Sequence, residues 1–309
     1  MTNESPFPPF IRKIGIVSPA GLPSQEKLQE ACRLLKSWNI ESVLGKSVVL
    51  QGEEEYFAAD REARAEDLNQ MIDDHSIDLV LCSRGGYGSA SILPLICWDK
   101  LRERNLPIAG YSDITAIHMA MLRMRAGIPV TSPMAAALPE WSMDEFTLAS
   151  ARGVFKRIFQ EKKSGSETSS VSGQTFQLQA ISRHIIPVEA PVIPGNLSLL
   201  VSLCGTPWLP DLHGAILVVE DVGELPRILD RHFTQLSLCG ILDQIQALVF
   251  ADFTNCGSEK ELNRIFQRFS RIHPNLPMWK GLPFGHKLPT CCFLDGAWGR
   301  ISSTGIFTF

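Results

Sequence analysis

The sequence predicts an α/β protein in two parts: a parallel sheet with helices on both faces, then a region of mixed α and β character. Three observations carry this. In the first half, short β-branched runs alternate with helical patterns, the alternation that builds βαβ units. The strand runs there are nearly continuous in apolar residues, as strands buried on both faces must be. A polar stretch of small residues without periodicity, residues 161–173, then interrupts the pattern and marks a boundary. The 309 residues allow two domains or one large one, and the boundary divides them into 1–165 and 174–309.

In chain order, residues 13–18 (KIGIVS) read as the first strand and 24–38 as a helix. Ser24 is a plausible N-cap, but Lys27 at the third helical position rules out a capping box. Residues 58–75 form a second amphipathic helix, and 77–83 (IDLVLCS) a buried strand. Strand 106–111, helix 113–126 and strand 128–131 complete the first pattern. Beyond the polar stretch, 174–190 is β-rich. Pro194-Gly195-Asn196-Leu197 opens a helix that Gly205 closes. Residues 215–219 and 246–250 are buried strands, 225–238 and 259–271 helices, and the tail 293–309 one or two strands with glycine turns.

Composition narrows the function classes. Hydrophobic residues at 45% and charged residues at 20% match ordinary globular usage. A net charge of −4 lacks the basic excess of a nucleic-acid binder and offers no polybasic face to a membrane. No apolar run approaches the roughly 18 residues of a membrane span. The polar, Pro-rich start, residues 1–10, lacks the features of a signal peptide. Most of the eight cysteines sit in apolar runs, which reads as buried free thiols in a reducing compartment. Cys291 and Cys292 are adjacent, and no zinc-type spacing occurs.

Four segments carry chemical potential. Gly110-Tyr111-Ser112-Asp113 places a serine where a strand meets a helix. A hydroxyl there is exposed on a sharp turn beside free helix N–H groups, which favours a nucleophile next to an oxyanion site. The G-x-S-x-G pattern is incomplete because Ile114 stands in the final position, and Ser112 also reads as a simple N-cap. Ser83-Arg84-Gly85-Gly86-Tyr87-Gly88-Ser89 follows a buried strand. Its glycines let the backbone approach a ligand, a phosphate among the options, or form a plain turn. Arg84 suits a carboxylate or a surface ion pair. Glu220, Asp221 and Glu224 crowd the end of an apolar strand, where a carboxylate can orient a histidine. His286 lies in the loop Gly281-Leu282-Pro283-Phe284-Gly285-His286-Lys287, whereas His118 and His232 lie on helices. Histidine's ordinary pKa of about 6.5 suits a group that takes and returns a proton.

Taken in order, these segments resemble the L,D-carboxypeptidase family of serine peptidases, the muramoyl-tetrapeptide carboxypeptidase type. The similarity runs through Ile14-Gly15-Ile16-Val17-Ser18-Pro19-Ala20, Ala58-Ala59-Asp60 with Arg64, Asp67 and Leu68, and Arg84-Gly85-Gly86-Tyr87-Gly88. It continues through Gly110-Tyr111-Ser112-Asp113, Gly195-Asn196-Leu197-Ser198, Gly205-Thr206-Pro207, Glu220-Asp221 with Asp230-Arg231, and Gly285-His286. The resemblance implies a flavodoxin-like parallel-sheet first domain and a smaller β-rich α/β second domain, with the site between them. It places the nucleophile on Ser112, the acid on Glu220 and the base on His286. It puts the oxyanion hole on the Asp113 amide and an amide of Gly85 or Gly86. Thr131-Ser132-Pro133-Met134 stands where the family commonly has His-Gly-Pro, which bears on substrate preference. Arg183 or His184 could meet substrate from the second domain.

The implied reaction releases the terminal D-alanine of a peptidoglycan-derived tetrapeptide by cleaving an L,D amide bond, with no metal or organic cofactor. A cytoplasmic homodimer is the implied setting, with neither nucleic acid nor membrane as partner. The alternatives are a microcin-immunity type of peptidase cleaving a peptide–nucleotide conjugate, and a non-catalytic ligand-binding relative. The former would need an aromatic base pocket, for which Trp141, Trp208, Trp279 and Trp298 are the candidates.

Overall fold

The computed structural model describes residues 4–49, 56–164 and 173–309. Its first half runs β1 (Lys13–Val17), α1 (Gln25–Ser37), β2 (Glu41–Leu44), α2 (Arg61–Asp73) and β3 (Leu79–Cys82). It continues with α3 (Ser89–Ile92), α4 (Trp98–Arg104), β4 (Pro107–Gly110), α5 (Thr115–Met124), β5 (Ile128–Thr131), α6 (Leu138–Trp141) and α7 (Glu145–Ser164). The five strands pair in parallel in the order β2-β1-β3-β4-β5, the flavodoxin-like order. β3 and β4 are buried along their whole length, which is why their runs carry no alternation. β2 has no apolar pattern because it is an edge strand with half-exposed residues, and the sequence reading passed over it.

Local chemistry sets the helix ends. α2 starts at Arg61, later than the expected 58, because the Asp60 side chain accepts the Ala63 N–H at 2.7 Å and caps the helix there. α7 continues to Ser164, so Glu161 to Ser164 are helical where a loop was expected. Glu and Lys are good helix formers, and polarity alone does not end a helix. The remainder of the expected linker, residues 165–172, lies outside the described residues.

The second half contains β6 (Thr175–Gln177), β7 (Gln179–Ala180), β8 (Val188–Asn196), α8 (Leu197–Ser202), β9 (Ile216–Val222) and α9 (Pro226–Leu238). It ends with α10 (Ile241–Gln244), β10 (Ala247–Thr254), α11 (Glu259–Ile272), β11 (Met278–Lys280), β12 (Phe293–Leu294), β13 (Trp298–Ile301) and β14 (Ile306–Thr308). β8, β9, β10 and β11 are parallel neighbours. Antiparallel β13, β14 and β6 extend one edge and β7 the other. The tail therefore supplies three strands rather than one or two, and β12 pairs antiparallel with β5 in the first sheet.

A buried polar joint fastens that crossing. The Asp295 carboxylate accepts the Thr131 N–H at 3.1 Å and the Thr131 hydroxyl at 2.9 Å. It also faces His118 Nδ1 at 3.1 Å, with both side chains buried. His118 Nε2 donates to the Ile108 carbonyl at 3.1 Å, so Nδ1 and Asp295 share a proton. Burial pushes the Asp295 pKa up, and His118 pulls it back. Replacing His118 with alanine removes one partner of a buried pair and is expected to cost about 3 kcal/mol, read as a lower urea midpoint. An unchanged midpoint would show that the joint adds nothing to stability.

Candidate active site

Ser112 sits where β4 gives way to α5. Tyr111 is extended at φ −158°, and Ser112 then adopts φ +63°, a left-handed conformation rare for a residue with a side chain. A short 3₁₀ turn, Ser112–Ile114, leads into α5, so the helix proper begins later than the expected 113. The reversal at Ser112 leaves its side chain half-exposed while Asp113 and Ile114 are buried. Gly110 supplies the room that the missing final glycine of the motif would have given. A Cβ at 110 would lie 3.0 Å from the Ile114 side chain.

His286 meets Ser112 from the far half of the chain. Its Nε2 lies 2.9 Å from Ser112 Oγ, and its Nδ1 lies 2.7 Å from Glu220 Oε2. Glu220 is fully buried on β9, while His286 sits in the loop between β11 and β12. Gly285, at φ +150°, lets that loop come so close: a Cβ there would lie 2.9 Å from Asp252 Cβ and 3.2 Å from Glu220 Oε2. The Tyr111 ring packs 5.0 Å from the imidazole. The next residue, Lys287, pairs with Asp252 at 2.9 Å and ties the loop to β10.

Of the three acids crowding that strand end, Glu220 is the one that meets the histidine. Asp221 accepts the Ser198 N–H and hydroxyl at 3.0 and 2.7 Å, and so anchors the start of α8. Glu224 lies 3.5 Å from the same hydroxyl. Asn196 connects the two neighbours, because its Nδ2 donates to Glu220 Oε1 at 3.2 Å and to Asp221 Oδ1 at 3.1 Å. Its Oδ1 caps α8. In the sequence Asn196 reads as part of a helix start and of a family-like stretch, with no role beside the acid. Its second duty depends on β8 pairing with β9, which sets Asn196 opposite Glu220. Burial raises the Glu220 pKa, and hydrogen bonds from His286 and Asn196 draw it back.

The glycine turn after β3 lies against Ser112. A Cβ at Gly85 would stand 2.9 Å from Ser112 Cβ, 3.0 Å from its Oγ and 3.5 Å from the Asp113 amide. The Gly85 carbonyl accepts the Gly21 N–H at 3.2 Å, so the trans peptide turns the Gly86 N–H away from Gly21. Two buried groups hold the turn. Ser89 N–H donates to the Asp113 carboxylate at 2.7 Å, and the Ser89 hydroxyl donates to the Asp113 carbonyl. Arg64 donates to the Gly88 carbonyl at 3.0 Å and also to Pro19, and stacks its guanidinium on Phe57. Gly85→Ala is expected to lower kcat at least 100-fold with the fold retained, because the methyl group occupies the space in front of Oγ. Steady-state kinetics with a parallel thermal melt checks it; near-normal kcat would place that space outside the reaction path.

Residues 14–131 match the LD-carboxypeptidase N-terminal domain, and residues 189–301 match the LD-carboxypeptidase C-terminal domain. A probable murein peptide carboxypeptidase of Bacillus subtilis is 30% identical over 294 residues, covering 92% of this chain and 86% of that protein. The chain belongs to the LD-carboxypeptidase family. A murein tetrapeptide carboxypeptidase of Pseudomonas aeruginosa is likewise 30% identical, over 92% of this chain and 91% of its own. The crystal structure of muramoyltetrapeptide carboxypeptidase from Oxalobacter formigenes superposes with a TM-score of 0.77 at 27% identity, covering 96% of this chain and 97% of that one.

Within the LD-carboxypeptidase frame, Thr131-Ser132-Pro133 falls beside the site. These residues line a small cavity with Tyr111, Phe284 and Thr290, and Thr131 is also the residue that holds Asp295. Arg84 is exposed and donates to the Leu22 carbonyl at 3.1 Å. Arg183 lines a groove with Gln267 and Arg271 of α11, and the His184 carbonyl accepts the Ser182 hydroxyl. Of the four tryptophans considered for a base pocket, Trp141 and Trp279 are core residues. Trp208 packs on Trp98, and Trp298 is exposed on β13. No helix among the described residues is long and apolar enough to cross a membrane.

Proposed function

We propose that this protein is a serine carboxypeptidase that releases the terminal D-alanine from murein tetrapeptides by hydrolysing the L,D amide bond. The observation that carries the reading is the continuous contact from Ser112 through His286 to Glu220, at 2.9 and 2.7 Å, between residues 174 and 66 positions apart in the chain. The names of the Pseudomonas and Oxalobacter relatives support the substrate class.

In this mechanism His286 Nε2 removes the Ser112 proton as Oγ attacks the scissile carbonyl. Glu220 accepts the Nδ1–H, which holds the tautomer with a free Nε2 and stabilises the imidazolium that forms. The Asp113 amide, at the start of a helical turn where N–H groups have no intrahelical acceptor, is one oxyanion donor. The other is an amide of the Gly85-Gly86 turn, and the orientation of the Gly85 carbonyl favours Gly86. His286 then protonates the leaving D-alanine amine, and water attacks the acyl-enzyme with His286 as base once more.

The same reading divides the chain into a nucleophile-bearing domain, 1–165, and a domain bearing acid and base, 174–309. It makes the protein a cytoplasmic enzyme of peptidoglycan recycling, working as a homodimer. The test is mass spectrometry of murein tetrapeptide incubated with wild type and with Ser112→Ala. D-alanine release by wild type alone is the expected result; equal release by both ends the proposal.

A further inference from the structure

Cys204 follows α8, and Cys239 is the C-cap of α9. The expectation of buried thiols holds for Cys82, Cys256, Cys291 and Cys292, but Cys32, Cys97 and Cys204 are half-buried and Cys239 is exposed. The Cys204 and Cys239 thiols are both free, and each sulfur lies in the other's electrostatic surroundings. They line one cavity of about 310 Å³ together with Leu209, Asp211 and Gln244. The spacing of the two residues along the chain gives no sign of this; the packing of α8 on α9 creates it.

The surroundings separate the two sulfurs by role. Cys239 is the one an aqueous oxidant reaches, and its Sγ accepts an N–H from Gln235 Nε2 at 3.2 Å. Cys204 donates weakly to the Leu200 carbonyl at 3.8 Å. Burial and the neighbouring sulfur push the Cys204 thiol up to about 11, so it keeps its proton at neutral pH. The adjacent pair Cys291 and Cys292 is fully buried, and desolvation makes both poor nucleophiles.

We propose that Cys204 and Cys239 are a reversible dithiol–disulfide pair that takes hydrogen peroxide as its oxidant. The Cys239 sulfur attacks one peroxide oxygen and the O–O bond breaks, giving a sulfenic acid and one water. The Cys204 sulfur then attacks the sulfenic sulfur. The S–O bond breaks, and the departing hydroxide leaves with the Cys204 proton as a second water. Two thiols and one peroxide thus become one disulfide and two waters. From their places on one cavity the sulfurs reach the bonded separation of about 2.05 Å by side-chain rotation and a shift of the segment after α8. The bridge ties that segment to the end of α9.

The test treats the intact folded protein with hydrogen peroxide, blocks remaining thiols with N-ethylmaleimide, and maps peptides by mass spectrometry before and after dithiothreitol. The expected result is a single cross-linked peptide joining Cys204 to Cys239, about 2 Da lighter than its two thiol halves, that reduction returns to the free thiols. Cys239→Ser is expected to abolish it. As a second variant, Cys204→Ser should leave Cys239 to run on to sulfinic and sulfonic acid. Wild-type protein in which Cys239 over-oxidises while Cys204 still takes the maleimide would overturn the proposal, as would a bridge formed through any other cysteine.

Discussion

Ser112→Ala is expected to lower kcat for D-alanine release by roughly 10⁵- to 10⁶-fold, the scale set by removing the nucleophile from a Ser–His–acid relay. The residual rate over water would come from the oxyanion donors and substrate positioning. KM should change far less, because the hydroxyl takes part chiefly in bond making. Stability should stay within about 1 kcal/mol, since alanine and serine bear the same Cβ strain at φ +63°. Single-turnover assays with a thermal melt of both proteins measure this. A loss of less than tenfold would mean that the Ser112 hydroxyl is not the nucleophile.

The second large effect is expected at Glu220. Glu220→Gln keeps shape but cannot hold the Nδ1–H tautomer or balance an imidazolium, so kcat should fall roughly 10⁴-fold. The carboxyl's pKa is raised in the folded protein, chiefly by burial. As pH falls, Glu220 therefore takes its proton earlier than a free glutamate, and the acid limb it imposes on kcat/KM lies above 4.5. Stability runs the other way. The folded state binds this proton more tightly than the unfolded state, so the contribution of Glu220 is greatest below pH 4.5 and is lost as pH rises through the folded value. At neutral pH Glu220→Gln should therefore melt no lower than wild type while being nearly inactive. A variant that is both unfolded and inactive, or one that retains activity, would contradict the assigned role.

The two kinds of information divided at identifiable residues. The strands over 77–83 and 106–111 were legible because burial on both faces demands continuous apolar runs, and each leads into a glycine-containing segment where parallel sheets expose their sites. Ser112 and His286 stood out because one falls at a strand-to-helix junction and the other in a Gly/Pro-rich loop. The helical stretch from Glu161 to Ser164 misled, since its polarity imitates a linker although its residues favour helix. Strand β2, with no apolar signature, and the crossing of β12 to the first sheet were invisible for the same reason: what defines them is their partner. Asn196, Ser89 and the His118–Asp295 joint escaped because hydrogen-bond partners separated by tens to hundreds of residues leave no local pattern.

By itself the sequence determined the parallel-sheet character of the first half, the order in which serine, acid and histidine occur, and the absence of any charge or apolar run suited to nucleic acid or a spanning helix. Periodicity, turn chemistry and composition are local quantities, and a chain carries them before it folds. The family resemblance named Glu220 and His286, but only the tertiary structure brings Glu220 rather than Asp221 or Glu224 against the imidazole, sets that imidazole on Ser112, and places two ordinary cysteines on one cavity. Those outcomes depend on sheet register and on one half of the chain docking on the other. A shift of a single residue in the β8–β9 pairing would turn Glu220 to the opposite face, and nothing in the local sequence records the register that prevents it.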